Sequence, residues 1–115
     1  MAAHEYLNGE QLSMFLPAHV LMGYPSAESK QGLSLSEDKA LHDEKLRESK
    51  ANSWGYPLVR EIKEKRGIEE PVEVWLNPPA SVGTAGKHTI MDGHHRVTSA
   101  NYLDPNMEVP IDYFQ

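Results

Sequence analysis

A chain of 115 residues with no cysteine, a hydrophobic fraction of 39% and a formal net charge of −6 excludes several classes at once. One domain, residues 1–115, is the default, able to bury a modest core without staples, while disulfides, thiolate metal sites and thiol catalysis are ruled out. The acidic balance argues against a general electrostatic grip on DNA, which needs Lys and Arg in place of phosphate counterions, although a local basic patch stays open.

Residues 1–16 read as an N-terminal arm. They lack a basic start and carry Glu5 and Glu10, unlike a signal peptide. The longest apolar stretch, "MFLPAHVLMG", is broken by Pro17 and His19 and is too short to span a bilayer, so a soluble cytoplasmic protein with no membrane partner is expected. "AHVLMGY" (18–24) reads as a short strand ended by the turn Tyr24-Pro25-Ser26, and residues 26–35 as a polar loop.

Ser34 and Glu37 have the spacing of a capping box, in which each side chain bonds the other's backbone N–H. The helix that follows, 36–51, has a thin apolar face of Ala40, Leu41 and Leu46 and is expected to lie on the surface. A bare hydrophobic groove at Leu41 and Leu46 would instead signal a homodimer or host-protein partner surface. "YPLVREIKEKRG" reads as a second helix, with Pro57 in its first turn, Leu58, Val59 and Ile62 on one face, and Gly67 as a left-handed cap. Its basic residues Arg60, Lys63, Lys65 and Arg66 are diluted by Glu61 and Glu64, the pattern of a solvated face.

"PVEVWLN" alternates as a strand, with Val72, Val74 and Leu76 on one face and Glu73 and Trp75 on the other. "KHTIM" is the next strand, Asp92-Gly93 turns the chain, and "HHRVTSANYLD" reads as a helix with Val97 and Ala100 inward, stopped by Pro105. "EVPIDYF" alternates again, with Val109, Ile111 and Tyr113 on one face. The expected class is α+β, a short mixed sheet packed with about three helices.

The chemistry concentrates in "DGHHR", residues 92–96. A strand feeding a glycine turn and then a helix leaves free backbone N–H groups and partial positive charge at the helix start, a ready anion site. Gly93 lets the backbone approach a ligand, Arg96 offers a bidentate fork to phosphate oxygens, and His94 and His95 can donate hydrogen bonds or act as acid or base. Asp92 is an oxygen ligand for Mg²⁺ or a candidate base. A plainer reading stays open: Asp92 as cap or turn residue, one histidine buried and satisfied, and Arg96 paired with Glu69 or Glu70 for structure. Adjacent histidines fit poorly with a two-histidine zinc site, which wants wider spacing.

The stretch "GIEEPVEVWLNPPASVGTAGKHTIMDGHHRVTSANYLDPNMEVPIDYF" resembles the core of the ParB/sulfiredoxin-like superfamily. Gly67 and Pro71 stand at the glycine and proline that precede its strand, with Glu70 where ParB-type proteins often have Gln, and Gly93, His95 and Arg96 stand in its G-x-[HR]-R motif. The resemblance covers the C-terminal half closely and the N-terminal half loosely, and makes 36–51 an insertion. It separates into branches at residue 94. Sulfiredoxins carry cysteine there, and this chain has none. Chromosome-partitioning ParB proteins carry Glu and Arg in place of His94 and His95, bind CTP through that loop, and add a helix-turn-helix reader for which this chain has no room.

The wording D-G-H-H-R is similar to the kinase-like branch that includes free-serine kinases. That resemblance implies a motif that holds nucleotide phosphates, and an early-loop acidic residue serving as base, which here falls on Glu28 in "SAESK" with Lys30 beside it as a phosphate contact. A solvated loop glutamate and lysine is the plainer alternative. Small stand-alone proteins of this look are commonly labelled ParB-like nuclease domains, many from bacteriophage genomes. The candidate catalytic residues are thus Asp92, His94, His95 and Glu28. The candidate phosphate ligands are Gly93, His95, Arg96 and Lys30, and Asp92 is the candidate metal ligand. Implied cofactors are Mg²⁺ and a nucleoside di- or triphosphate, and the implied partner is a nucleotide or nucleic acid. The expected function is phosphate binding at Asp92–Arg96 with Mg²⁺-dependent phosphoryl transfer or nuclease activity; the competing class is a non-catalytic phage regulatory or host-interaction module. Arg96 is expected to matter more than His94 for binding, since a charged fork outweighs one neutral donor.

Overall fold

The computed structural model describes residues 4–7, 10–29, 32–51, 57–76, 78 and 88–114. Its elements in chain order are β1 (His4–Leu7), β2 (Glu10–Ser13), β3 (Phe15–Pro17), α1 (Ala18–Met22), α2 (Lys39–Lys50), α3 (Leu58–Lys65), β4 (Val72–Trp75), β5 (Thr89–Asp92), α4 (His94–Leu103) and β6 (Glu108–Phe114). The class is α+β, as the alternating and helical patterns require.

Strands β3, β6, β4 and β5 form one mixed sheet in that order. β6 pairs antiparallel with β3 and parallel with β4, and β4 pairs antiparallel with β5 across a register shift at Glu73/Val74. The two-residue alternation of β4 survives in full: Val72 and Val74 are buried, Glu73 is exposed. Val109 and Ile111 do the same on β6. These residues meet Val97 and Ala100 of α4 and Leu21 of α1 in one core. Helix α4 is the central helix, with His94, Val97, Thr98, Ser99 and Ala100 all buried. A helix enclosed by neighbours has no need of a narrow apolar stripe.

The structure corrects four local readings. The described part of the N-terminal stretch, residues 4–7 and 10–16, is more than an arm. β1 and β2 pair antiparallel as a hairpin, with Leu7 opposite Glu10; β3 then joins the edge of the main sheet through β6. Residues 18–22 are a helix instead of a strand. Ala18, Leu21 and Met22 are its buried residues, an i, i+3, i+4 set, and Ala18 N–H and His19 N–H are taken by the carbonyls of Met107 and Pro105.

The capping-box bonds between Ser34 and Glu37 both form, yet they close a turn that precedes the helix. Asp38 is the N-cap of α2, accepting from Leu41 N–H. The left-handed residue that ends α3 is Arg66 (φ 58°, ψ 32°), one position before Gly67. Gly67 N–H reaches the Ile62 carbonyl and Arg66 N–H the Lys63 carbonyl, a Schellman closure, after which Ile68 packs against the core. The described residues form four helices, where about three were expected, through the addition of α1. No helix among the described residues is long and apolar enough to cross a membrane.

Candidate functional site

Gly93 makes the strand-to-helix turn that the motif calls for. Its φ of 101° and ψ of 17° lie where side-chain-bearing residues are strained. A Cβ there would stand 2.9 Å from Val72 Cγ2 and 3.1 Å from Arg96 Nη2. The missing side chain therefore makes room for β4 and for Arg96, a packing reason for glycine at this turn. No side chain among the described residues caps α4.

A cavity of about 390 Å³ opens at this helix start. It is lined by Asp92, Gly93, His94, His95 and Arg96, by Glu28 and Lys45, by the apolar Leu58, Ile62 and Ile68, and by Glu61, Lys65, Gly67, Glu69 and Glu70.

His94 has 4% of its side chain exposed, and its Nδ1 lies 2.8 Å from Glu28 Oε2. The loop carrying Glu28 is pinned. Ala27 N–H bonds the Ile90 carbonyl at 3.0 Å, Ile90 N–H bonds the Pro25 carbonyl at 2.9 Å, and Glu28 N–H is held by Ser26 Oγ at 3.2 Å. Ser26 is fully buried. Glu28 is thus a placed residue; its other oxygen, Oε1, receives Lys45 Nζ at 2.9 Å.

With a carboxylate on Nδ1, a neutral His94 ring carries its proton there and leaves a lone pair on Nε2. That atom is buried and has no hydrogen-bond partner among the described residues. Burial holds the His94 pKa below its ordinary 6.5; the charges of Lys45 and His95 push the same way, while Glu28 and Asp92 oppose them. A buried ring with a carboxylate behind it and an unengaged basic nitrogen has the arrangement of a general base.

His95 Nε2 lies 2.9 Å from Glu48 Oε1, and this bond is the main reason that Glu48 sits below its ordinary carboxyl pKa. Arg96 is already engaged. Nη2 donates to the Pro71 carbonyl at 3.0 Å, Nη1 stands 3.4 Å from Glu70 Oε2, and Asp92 Oδ2 is 3.7 Å from Nη2. The structural pairing of Arg96 with Glu70, one of the two readings of the sequence, is therefore present.

No family model, curated protein or solved structure matches this chain.

Of the residues singled out in the sequence, Glu28, Asp92, Gly93, His94, His95 and Arg96 converge on this cavity. Lys30 falls outside the described residues. Asp92 does not cap α4, since Gly93 is the N-cap; it stands on the rim with 66% of its side chain exposed. Among the described residues no group of three or more His, Asp or Glu is arranged to hold a metal ion. Two residues escaped the sequence reading: Lys45 and Glu48, three apart on the helix taken as an inserted surface element. Their spacing puts them on one helical face, but a Lys and a Glu three apart are ordinary on any solvated helix.

Proposed function

We infer that the cavity at the start of α4 binds the phosphate end of a nucleoside di- or triphosphate and that the Glu28–His94 pair acts there as acid–base group in phosphoryl transfer. The observation that carries this reading is His94: a buried imidazole, backed by a carboxylate, with an unpartnered Nε2 beside an uncapped helix N-terminus. The helix start supplies N–H donors and partial positive charge for a phosphate, and the imidazole supplies a proton acceptor for an attacking hydroxyl. The resemblance of D-G-H-H-R to the kinase-like branch of the ParB/sulfiredoxin-like superfamily supports the same assignment, with Glu28 in the position of the early-loop acid.

A small nucleotide fits better than a nucleic-acid backbone. The cavity volume of about 390 Å³ suits a ligand of that size. Its apolar wall of Leu58, Ile62 and Ile68 can accept a base, whereas Glu61, Glu69, Glu70 and Asp92 around the opening would repel a polyanion. Asp92 is the motif's only carboxylate. A Mg²⁺ ion would therefore be held mainly by phosphate oxygens and water, as Mg²⁺ in nucleotide sites usually is.

The test is thermal unfolding and titration with ADP, ATP and CTP, with and without Mg²⁺, against short single-stranded DNA. A nucleotide at 100 times its dissociation constant should add about 2.7 kcal/mol of stability, and His94→Gln should abolish transfer while the DNA leaves the melt unchanged. If no nucleotide binds the parent protein, the phosphate assignment fails and a non-catalytic interaction module takes its place.

A further inference from the structure

Helix α2 has little apolar reason to dock where it does. Ser49 is its one buried residue, and Leu41 and Leu46 are only half-buried. Yet its Lys45 side chain is just 11% exposed and points its ammonium at Glu28. Lysine is almost never withdrawn from water without a partner. Here the partner carboxylate is shared: Oε1 receives Lys45 and Oε2 receives His94. Both oxygens of Glu28 are thereby engaged, by two elements that approach from different sides.

We propose that Lys45 is a positioning residue of the cavity: it anchors the Glu28 carboxylate, and through it fixes the His94 ring with Nδ1 protonated and Nε2 unprotonated. The proposal deepens the phosphoryl-transfer reading and rests on it for its purpose, though the geometry it describes is independent of any ligand. Without the ammonium on Oε1, the Glu28 carboxylate keeps its contact with His94 at Oε2 but loses its second anchor, and its side chain is 47% exposed. An exposed glutamate gains rotamer freedom at once. The ring of His94 would then sample the tautomer protonated at Nε2, which cannot accept a proton at that nitrogen. The other charged and titratable groups acting on His94 are Asp92 and His95. Glu48, three residues along the same face, holds His95 in the same manner.

The experiment is ¹⁵N-histidine NMR on the full chain at neutral pH, comparing the parent with Lys45→Met and Lys45→Arg. The parent should show His94 protonated at Nδ1 alone. Lys45→Met should raise the Nε2-protonated fraction several-fold, and Lys45→Arg should restore the parent pattern. An unchanged His94 in folded Lys45→Met overturns the proposal. Should that variant not fold, Lys45→Gln, which keeps a donor and loses the charge, is read in the same way. ADP titration on the same samples separates the two readings. A parent that ignores ADP–Mg²⁺ while Lys45→Met moves His94 sinks only the phosphate assignment. A parent that binds ADP–Mg²⁺ while His94 stays unmoved sinks only the role of Lys45.

Discussion

At the scale of the residue, two backbone positions set opposite demands. Arg66 occupies left-handed space (φ 58°) on an exposed helix end, a conformation that costs a side-chain-bearing residue roughly 1–2 kcal/mol. Glycine removes that strain and returns part of it as chain entropy, so Arg66→Gly should stabilise the protein by about 0.5–1 kcal/mol in denaturant unfolding. A melt that falls instead would show that the Arg66 side chain makes a contact outweighing the strain. Gly93 is the reverse case. Gly93→Ala meets both an unfavourable φ of 101° and a 2.9 Å approach to Val72 Cγ2, and should cost about 2–3 kcal/mol. Because β4 is the neighbour that must give way, the loss should appear as a lower midpoint even without ligand. An unaltered midpoint would mean that the turn tolerates a side chain, and that glycine is there for the ligand alone.

At the scale of the element, the capping of α2 links stability to the site. Asp38 accepts Leu41 N–H at 3.1 Å, and Asp38→Ala should cost about 1 kcal/mol. Because Lys45 and Glu48 lie on the same helix, that variant should also weaken their hold on Glu28 and His95, visible as broadening of both histidine ring signals; sharp, unshifted rings would separate helix stability from site order. The elements themselves differ in how far they could be read. β4, β6 and α4 carry strong local patterns: valines at every second position, or a glycine turn followed by helix formers. The hairpin β1–β2 is equally marked, by Asn8-Gly9 between its paired strands, the residue pair that two-residue turns favour. Five-residue α1 is too short for its i, i+3, i+4 spacing to outweigh a strand reading of an apolar run. Gly67 drew the cap to itself, although the chain closes α3 one residue earlier on an arginine that no propensity would choose. The D-G-H-H-R half of the site was legible because it is contiguous. The Lys45–Glu28–His94 chain was not, since three segments distant in sequence meet only after α2 docks, and no period encodes that meeting.

At the scale of the whole molecule, the buried His94 should be visible in the pH dependence of stability. Its folded pKa is lowered, chiefly by burial, from an unfolded value of 6.5. Above pH 6.5 both states hold the ring neutral, and this group adds no slope. Below 6.5 the unfolded chain takes up a proton that the folded protein refuses, so stability falls as pH drops toward the folded pKa, by at most about 1.4 kcal/mol per pH unit for one proton. Glu48 acts in a separate, lower window. Its folded pKa is depressed from 4.5 by the His95 hydrogen bond, so its contribution is present above 4.5 and is lost as pH falls through the folded value. The two can be told apart by substitution. Thermal unfolding from pH 8 to 5 should show the parent losing stability below 6.5 and His94→Gln losing distinctly less over the same range, with Glu48→Gln retaining the parent slope there. Lys45→Met removes a charge that helps to keep the ring neutral, so its slope should be confined to lower pH values than the unfolded 6.5 by a narrower margin than in the parent. Identical curves for the parent and His94→Gln between pH 6.5 and 5 would mean that the folded protein accepts the proton on His94 as readily as the unfolded chain does, and that burial does not disfavour the charged ring.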